Sequence, residues 1–282
     1  MAVRHVDSTA NPLVKELAGL RQRRARERSG TYLIEGQREV ERALAAGVKA
    51  RLIVTSPALL ADEAAFDREA LAAVHGAEAV TFGTAAFRRV SQREHPDGVL
   101  LLAETARRSP TEMHVPAGAL VLVLAGLEKP GNVGALLRSA DAVGVDAVFM
   151  CADSAAAPDE LEASEQAGVD LENPNVIRAA MGSSFALPIG VGSASEVLAA
   201  LRAANLRVVA TTPDATTPHW QSDLRGGVAL LLGREHEGLS PWWLAQADER
   251  VGIPMRASAA DSLNVSVAGA VLLYEALRQR TL

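Results

Sequence analysis

Apolar residues occur along this chain in short blocks, and the spacing within each block predicts a strand or a helix. In the second half, four blocks are apolar without interruption, which is typical of parallel strands covered on both faces. Segments with helical spacing of apolar positions lie between them. This alternation predicts an α/β domain with a parallel sheet. The strand blocks are residues 119–124, 147–150, 208–211 and 228–232, and the helical segments are residues 133–143, 193–204 and 264–280.

The last helical segment has its own apolar stripe. Val267, Val271 and Tyr274 recur at i, i+4 and i+7. This spacing places the three side chains on one face of a helix, and we expect that face to be buried.

The first half alternates shorter elements and predicts a small α/β domain. An amphipathic helix is expected from Asn11 or Pro12 to about Glu27, and Ser29-Gly30 marks its end. Turn residues and weak periodicity make residues 106–118 the best linker. The chain of 282 residues is long enough for two domains, which we place at residues 1–108 and 117–282. The remaining elements are strands at residues 32–34, 52–54, 79–81 and 99–102 and a helix at residues 37–46.

Composition excludes several classes of protein. Apolar residues are 49% and charged residues 22% of the chain, which is ordinary for a globular protein and excludes disordered, collagen-like and disulfide-rich chains. A single cysteine, Cys151, cannot form an internal disulfide, which favours a reducing cytoplasm. No apolar run approaches the ~18 residues of a membrane span, and residues 1–12 lack the apolar core of a signal peptide.

The net charge of −6 is unevenly divided between the two halves. Residues 1–110 carry 17 Lys+Arg against 14 Asp+Glu, whereas residues 111–282 carry 11 against 20. This asymmetry predicts different roles for the two domains.

Three polar, glycine-containing segments follow predicted strands of the second domain, where ligands bind in open α/β sheets. Each segment alone has an ordinary explanation: Asn132 can cap a helix, Glu235 can belong to an acidic surface loop, and Ser262 or Asp261 can cap the last helix. Neither a Walker loop nor a G-x-G-x-x-G fingerprint is present, and no His/Cys cluster supports His236 as a metal ligand. The segments are residues 127–138, 232–241 and 253–268.

Together and in this order, the segments resemble the signature motifs of the SpoU/TrmH family of RNA ribose 2′-O-methyltransferases. The matching motifs are N-x-G-x-x-x-R from Asn132 to Arg138, L-G-x-E-x-x-G-L-S from Leu232 to Ser240, Ile253-Pro254-Met255, and the unbroken run S-L-N-V-S-V-A at residues 262–268. Residues 32–36 and 95–98 resemble that family's substrate-binding domain. Two residues depart from the motifs, because His236 and Ala257 stand where glycine is common.

The resemblance implies a fold, a cofactor and an assembly. The fold is a parallel-sheet domain with a deep trefoil knot, preceded by a small α/β RNA-binding domain. The cofactor is S-adenosyl-L-methionine (AdoMet), held largely through backbone groups, with no metal. The protein is expected to be a homodimer, and the last helix is a candidate interface element unless its apolar face packs within the monomer. The implied cofactor residues are Thr211, Leu232, Gly233, Ile253, Met255 and Leu263.

The resemblance also implies catalytic residues for methyl transfer to a ribose 2′-hydroxyl. Arginine stays protonated in proteins, so we expect Arg138 to hold an RNA phosphate and stabilise the developing alkoxide rather than to act as a base. Glu235 and Asn132 are expected to orient Arg138 and the ribose. Ser262 and Asn264 are expected to position the hydroxyl and the cofactor carboxylate.

The implied RNA surface is a run of cations in the first domain, where arginine suits phosphates and bases. Large-subunit ribosomal RNA is the expected substrate, with tRNA as the alternative. Two hypotheses compete with this one. The first is a non-catalytic AdoMet- and RNA-binding module, and the intact motifs argue against it. The second is a small-molecule methyltransferase or nucleotide-binding enzyme, and the arginine run argues against it. The cations are Lys15, Arg21, Arg23, Arg24, Arg26 and Arg28.

Overall fold

The computed structural model describes residues 4–60, 66–153, 170–256 and 262–281. They form two compact units, one of Met1–Ala106 with Leu171–Ala186 and one of Arg107–Asp170 with Leu187–Leu282. This grouping differs from the two continuous ranges expected from the sequence. Residues 171–186 belong with the first unit because apolar side chains such as Ile177 join its core.

The first unit is built on a five-stranded mixed sheet in the order β1-β4-β3-β5-β2. β4 is parallel to both β1 and β3, whereas β5 is antiparallel to β3 and β2. Apolar side chains cover both faces of this sheet. The elements are β1 (Arg4–Val6), α1 (Pro12–Gly19), α2 (Arg23–Ser29), β2 (Thr31–Glu35), α3 (Gln37–Ala45), β3 (Ala50–Thr55), α4 (Arg68–His75), β4 (Glu78–Phe82), α5 (Thr84–Val90), β5 (Val99–Glu104), α7 (Pro174–Ala180) and α8 (Ser183–Ala186).

The single helix expected from residue 11 or 12 to about residue 27 is two helices, α1 and α2. Arg26 accounts for the break, because its side chain is only 3% exposed. Its Nη1 atom donates hydrogen bonds to the carbonyl oxygens of Leu20 and Arg21, at 2.6 and 2.9 Å. These bonds satisfy carbonyls in the turn that follows α1, so the chain changes direction without leaving them unpaired.

The second unit contains a six-stranded, fully parallel sheet in the order β11-β9-β10-β6-β7-β8, as the uninterrupted apolar blocks predict. The two short strands β8 and β11 are the described strands of this sheet that lie outside the four apolar blocks. The elements are β6 (Leu120–Ala125), α6 (Pro130–Val143), β7 (Ala147–Cys151), β8 (Ile189–Val191), α9 (Ala194–Ala203), β9 (Arg207–Thr211), β10 (Val228–Leu232), α10 (Pro241–Gln246), β11 (Glu249–Val251) and α11 (Val265–Thr281).

Helix α11 packs on α6 with a face other than the expected one. Its buried residues are Gly269, Leu272, Leu273 and Ala276. A Cβ atom added to Gly269 would overlap Leu136 of α6, so the two helices are in close contact there. Two residues of the stripe that we expected to be buried are instead about half-exposed to solvent: Val267 is 49% and Tyr274 is 53% exposed.

Arg280 fixes the end of α11 to the start of the sheet. Its guanidinium donates hydrogen bonds to the carbonyl oxygens of Leu224 (2.9 Å), Gly118 (3.0 Å) and Ala119 (3.3 Å), and to that of Gly226. Within the described ranges, no helix is long and apolar enough to cross a membrane. The segment before α11 includes residues 257–261, which lie outside the described residues, so the trefoil knot stays a prediction.

Candidate active site

The three motif segments meet at one edge of the second unit's parallel sheet. The first follows β6 and enters α6, the second follows β10, and the third lies between β11 and α11. Because the carboxyl ends of parallel strands share an edge, residues far apart in the chain come together there.

A chain of hydrogen bonds joins the three motifs. Asn132 Nδ2 donates to Glu235 Oε1 at 2.8 Å, and Asn264 Nδ2 donates to Asn132 Oδ1 at 3.2 Å. Asn132 therefore does not cap the helix, which was the ordinary explanation for an asparagine at this position. Helix α6 begins at Pro130 without a side-chain cap, and the Asn132 amide is used between the motifs.

Ser266 extends this chain and is a residue that sequence reasoning missed. Its Oγ atom donates to Asn264 Oδ1 at 2.6 Å, and its backbone N–H donates to the same oxygen at 2.9 Å. Asn264 thus caps α11, not Ser262, and Asp261 lies outside the described residues. The signal was present in the sequence, because Asn or Asp two residues before a helical N–H is a common capping arrangement.

The charge on Glu235 fixes the direction of the whole chain. An ionised carboxylate can only accept hydrogen bonds, so Asn132 must present its NH₂ group to it. The Oδ1 atom of Asn132 then faces the NH₂ group of Asn264, whose Oδ1 accepts from Ser266. One carboxylate therefore determines the orientation of two amides, one in the first motif and one in the third.

Arg138 does not take part in this chain. Its side chain is exposed on α6 and makes no hydrogen bond or ion pair with any residue in the described ranges. It stands six positions after Asn132, which places it about 120° around the helix from Asn132. Asn132 and Glu235 bond to each other rather than to Arg138, so the orienting contact expected from the sequence is not formed. The guanidinium is left available for a ligand.

A cavity beside the chain brings together all the residues implied for the cofactor. They share its lining with Glu235 and Ser262. The walls are mostly apolar, as in most small-molecule sites. Thr211 lines the cavity, and its buried Oγ1 atom has no hydrogen-bond partner among the described residues. The lining therefore fits a cofactor with both apolar and polar parts. The six implied residues are Thr211, Leu232, Gly233, Ile253, Met255 and Leu263.

Gly233 is required by the close packing of the second motif. A Cβ atom added there would lie 2.5 Å from the carbonyl carbon of Gly238 and 2.6 Å from the backbone nitrogen of Leu239. The loop folds back because Arg234 N donates to Gly238 O at 3.0 Å and Gly238 N donates to Arg234 O at 3.1 Å. The position therefore has no room for a side chain.

Arg234 ties the second motif to the loop after β6. Its Nη2 atom donates to Glu128 Oε1 at 3.1 Å, and its Nη1 atom pairs with Glu237. The aliphatic part of the side chain lies over Gly126, whose backbone is in the left-handed region. His236, one of the two departures from the family motifs, also lines the cavity, whereas Ala257 lies outside the described residues. The described ranges hold no group of three His, Cys, Asp or Glu side chains placed to bind a metal ion.

The cations expected to contact RNA divide into two groups in the structure. Arg26 is buried, Arg21 Nη2 donates to three carbonyl oxygens at the end of α5, and Arg23 pairs with Glu27 at 2.8 Å. Three of the six expected cations thus have structural contacts. The side chains of the other three are exposed and make no hydrogen bond or ion pair within the described ranges; these residues are Lys15, Arg24 and Arg28.

Comparison with known proteins gives a family match for each half of the chain. A family model described as the SpoU rRNA Methylase family matches residues 119–274, and one described as the MRM3-like substrate binding domain matches residues 11–101. The 23S rRNA (guanosine(2553)-2′-O)-methyltransferase RlmP of Bacillus subtilis is 27% identical over 96% of this chain and 98% of its own length.

Solved structures match over nearly the whole chain. A crystal structure of an RNA 2′-O ribose methyltransferase is 43% identical, with a TM-score of 0.79, and the match covers 99% of this chain and 100% of that one. An AdoMet-bound rRNA methyltransferase from Sinorhizobium meliloti is 27% identical, with a TM-score of 0.84 and 98% of each chain covered. With its motifs joined at one sheet edge and its family model matched across them, the chain belongs to the SpoU rRNA methylase family.

Proposed function

We propose that this chain transfers a methyl group from AdoMet to a ribose 2′-hydroxyl of large-subunit ribosomal RNA. As a member of the SpoU family, it is an AdoMet-dependent RNA ribose 2′-O-methyltransferase. The choice of large-subunit RNA follows the Bacillus subtilis relative, whose name specifies 23S rRNA. The observation that carries the proposal is the hydrogen-bond chain from Glu235 through Asn132 to Asn264, beside the cavity formed by the expected cofactor residues.

We assign the cofactor to this cavity. Its apolar lining suits the ring and aliphatic parts of AdoMet, and the buried Thr211 hydroxyl supplies a polar group. AdoMet, when bound, supplies a methyl group on a positively charged sulfur. Gly233 and the closed loop that follows it present backbone groups to the cavity, in a position where a side chain would not fit.

The residues facing the RNA must align a weak nucleophile. A ribose hydroxyl reacts only if it is held close to the methyl group and loses its proton as the bond forms. We assign Arg138 to hold an RNA phosphate and to stabilise the negative charge that develops on the ribose oxygen. Asn264 and Ser262 position the hydroxyl and the cofactor carboxylate, and the pair formed by Glu235 and Asn132 holds the Asn264 amide in one orientation.

We further propose that the protein acts in the cytoplasm as a homodimer. The apolar stripe of α11 supports the dimer, because Val267 and Tyr274 are half-exposed in the single chain. Exposed apolar side chains on one helix face favour a contact with a second surface. A second copy of the chain is the simplest partner, since a two-fold interface uses the same stripe twice.

Transfer of tritiated methyl groups from AdoMet tests the activity. The purified protein, incubated with total RNA, should label the large-subunit rRNA, and ribonuclease should release the label. Arg138→Ala should lose transfer but still bind AdoMet, whereas Arg225→Ala, an exposed arginine paired with Asp223, should keep both. Label that resists ribonuclease, or AdoMet binding without any transfer, would contradict the proposal.

The methylated nucleotide can be found by mapping 2′-O-methyl groups in RNA from cells with and without the protein. We expect one site in large-subunit rRNA to disappear. Loss of a tRNA site instead would mean that the proposed reaction is right and that the substrate is tRNA rather than rRNA. Loss of AdoMet binding in Arg138→Ala would contradict the role assigned to that residue.

A further inference from the structure

The first unit has two arginines that no motif singled out. Arg88 and Arg89 lie on α5, and both side chains are exposed. The other side of this helix is buried through Ala86, Phe87 and Val90. Neither arginine makes a hydrogen bond or ion pair through its side chain with a residue in the described ranges.

Arg21 connects these arginines to the run of cations noted in the sequence. It lies in the turn between α1 and α2, and its Nη2 atom donates to the carbonyl oxygens of Arg89 (2.9 Å), Val90 (3.2 Å) and Ser91 (2.6 Å). Helix α1 also packs against α5. The three helices that carry the exposed cations are therefore joined through α1 and the turn at Arg21. We call this set the basic surface: Lys15, Arg24, Arg28, Arg88 and Arg89.

Side-chain partners distinguish the arginines of the basic surface from the other arginines of the first unit whose side chains the structure describes. Four of the others pair with carboxylates: Arg4 with Glu78, Arg38 with Glu39, Arg51 with Glu104, and Arg93 with Glu39. Arg42 and Arg178 instead donate hydrogen bonds to Met181 O and Asn175 Oδ1. On α1, α2 and α5 the acidic residues are Glu16 and Glu27, and Glu27 pairs with Arg23. The five cations of the basic surface thus outnumber the two carboxylates on these helices.

We propose that Arg88 and Arg89 bind RNA phosphates as part of this basic surface, an inference that rests on the proposed function. Unpaired arginines suit this role because the planar guanidinium can donate two parallel hydrogen bonds to phosphate oxygens. Such contacts fix the position of an RNA without reading its sequence. Arg21 acts on the surface indirectly, as a positioning residue that holds the end of α5 against the turn between α1 and α2.

The test compares two double variants of the full-length protein that change the net charge equally. Arg88→Gln/Arg89→Gln removes two cations from the basic surface. Arg4→Gln/Arg51→Gln removes two paired cations from strands β1 and β3 of the same unit. The probe is 23S rRNA transcribed in vitro, and the measurements are its dissociation constant over a range of salt concentrations, AdoMet affinity and circular dichroism.

We expect Arg88→Gln/Arg89→Gln to weaken RNA binding about tenfold at moderate salt and to reduce the slope of log K against log salt by about 1.4–1.8, as the loss of two phosphate contacts predicts. AdoMet affinity should not change. The control variant should bind RNA like the wild type. Arg24→Gln/Arg28→Gln should show the same loss as the α5 variant, so the proposal does not depend on the folding of one variant.

Two outcomes separate this inference from the proposed function. If the wild type methylates the RNA but both basic-surface variants bind it unchanged, the inference is wrong and the function stands. If the variants lose RNA binding while the wild type transfers no methyl group, the basic surface stands and the proposed function is wrong. An equal loss in the control variant would also overturn the inference, because net charge alone would then explain the effect.

Discussion

The side-chain amide of Asn132 donates a hydrogen bond to Glu235 Oε1 at 2.8 Å, between two motifs that are 103 residues apart in the chain. This bond directly links a residue of the first motif to a residue of the second. The carboxylate accepts from Asn132, Asn132 accepts from Asn264, and Asn264 accepts from Ser266. Each member of the chain has the orientation that its neighbour requires.

Asn132→Asp tests this relationship with the smallest change in shape. The substitution replaces the NH₂ group that faces Glu235 by oxygen and places two carboxylates in contact, which is unfavourable when both are charged. We expect kcat to fall by about a hundredfold, within the range for lost positioning and charge stabilisation in active sites, while AdoMet affinity changes little. Asn205→Asp, at an exposed position of the same unit, controls for the added negative charge. An equal kcat in both variants would contradict the role of Asn132.

Ser266→Ala tests the far end of the chain. The variant keeps the backbone N–H bond to Asn264 but loses the hydroxyl bond, which is 2.6 Å long. One neutral hydrogen bond contributes about 0.5–1.5 kcal/mol, so we expect kcat to fall by about three- to tenfold with the KM for AdoMet unchanged. Ser139→Ala removes a comparable hydroxyl from α6, one bonded to Ala135 O, and should leave kcat unchanged. A changed KM with a normal kcat would instead place Ser266 in cofactor binding.

The parallel sheet could be predicted from the sequence because uninterrupted apolar runs directly reflect strands buried on both faces. The meeting of the motifs followed from the geometry of such sheets. The hydrogen bond between Asn132 and Glu235 could not be predicted, because an asparagine near a helix start has a local use as a cap and Glu235 is distant in sequence. Only the folded chain decides between the two uses.

The sequence also did not predict which side chains are exposed and which are buried. Counting arginines gave one basic run, but Arg26 is buried among carbonyl oxygens and Arg21 is engaged at the end of α5. In α11, helical spacing identified an apolar stripe through Val267 and Tyr274 but not which stripe packs on the core. The helix also has Leu272 and Leu273, and these are the residues that pack inside the unit.

Gly233→Ala should disrupt the cofactor cavity. The added methyl group would lie within 2.6 Å of backbone atoms of Gly238 and Leu239, so the loop carrying Glu235 must move. We expect AdoMet affinity to fall by at least about tenfold, since a shift of the order of 1.4 kcal/mol is enough for that change. Gly131→Ala is the matched control, because a Cβ atom there has no neighbour within 4 Å. Calorimetric titration with AdoMet measures both variants, and equal affinities would show that the loop does not shape the site.

Val267→Glu/Tyr274→Glu tests the proposed dimer. Both side chains are about half-exposed on α11, so the charged residues can be solvated in a monomer but not in an apolar interface. We expect light scattering after size exclusion to give twice the 29.6 kDa chain mass for the wild type and the single mass for the variant. Val74→Glu, at a position 78% exposed in the first unit, should stay dimeric. If the wild type itself has the mass of a single chain, the proposed dimer is wrong.

The lowered pKa of Glu275, on α11, predicts that its contribution to the stability of the fold is lost at acid pH. A hydrogen bond from Arg278, assisted by one from Gln279, lowers the pKa of Glu275 from 4.5 to about 2. A carboxyl group with a lower pKa in the folded state stabilises the fold above its unfolded pKa and loses that contribution as the pH falls. The contribution of Glu275 should therefore be complete above pH 4.5 and decline toward pH 2.

Denaturant titrations should show the wild type more stable than Glu275→Gln at neutral pH, with the difference shrinking through this window. Arg278→Gln should reduce the same pH-dependent difference, because it removes the main cause of the shift. A difference that stays constant from pH 6 to pH 2 would mean that Glu275 stabilises α11 through packing rather than charge.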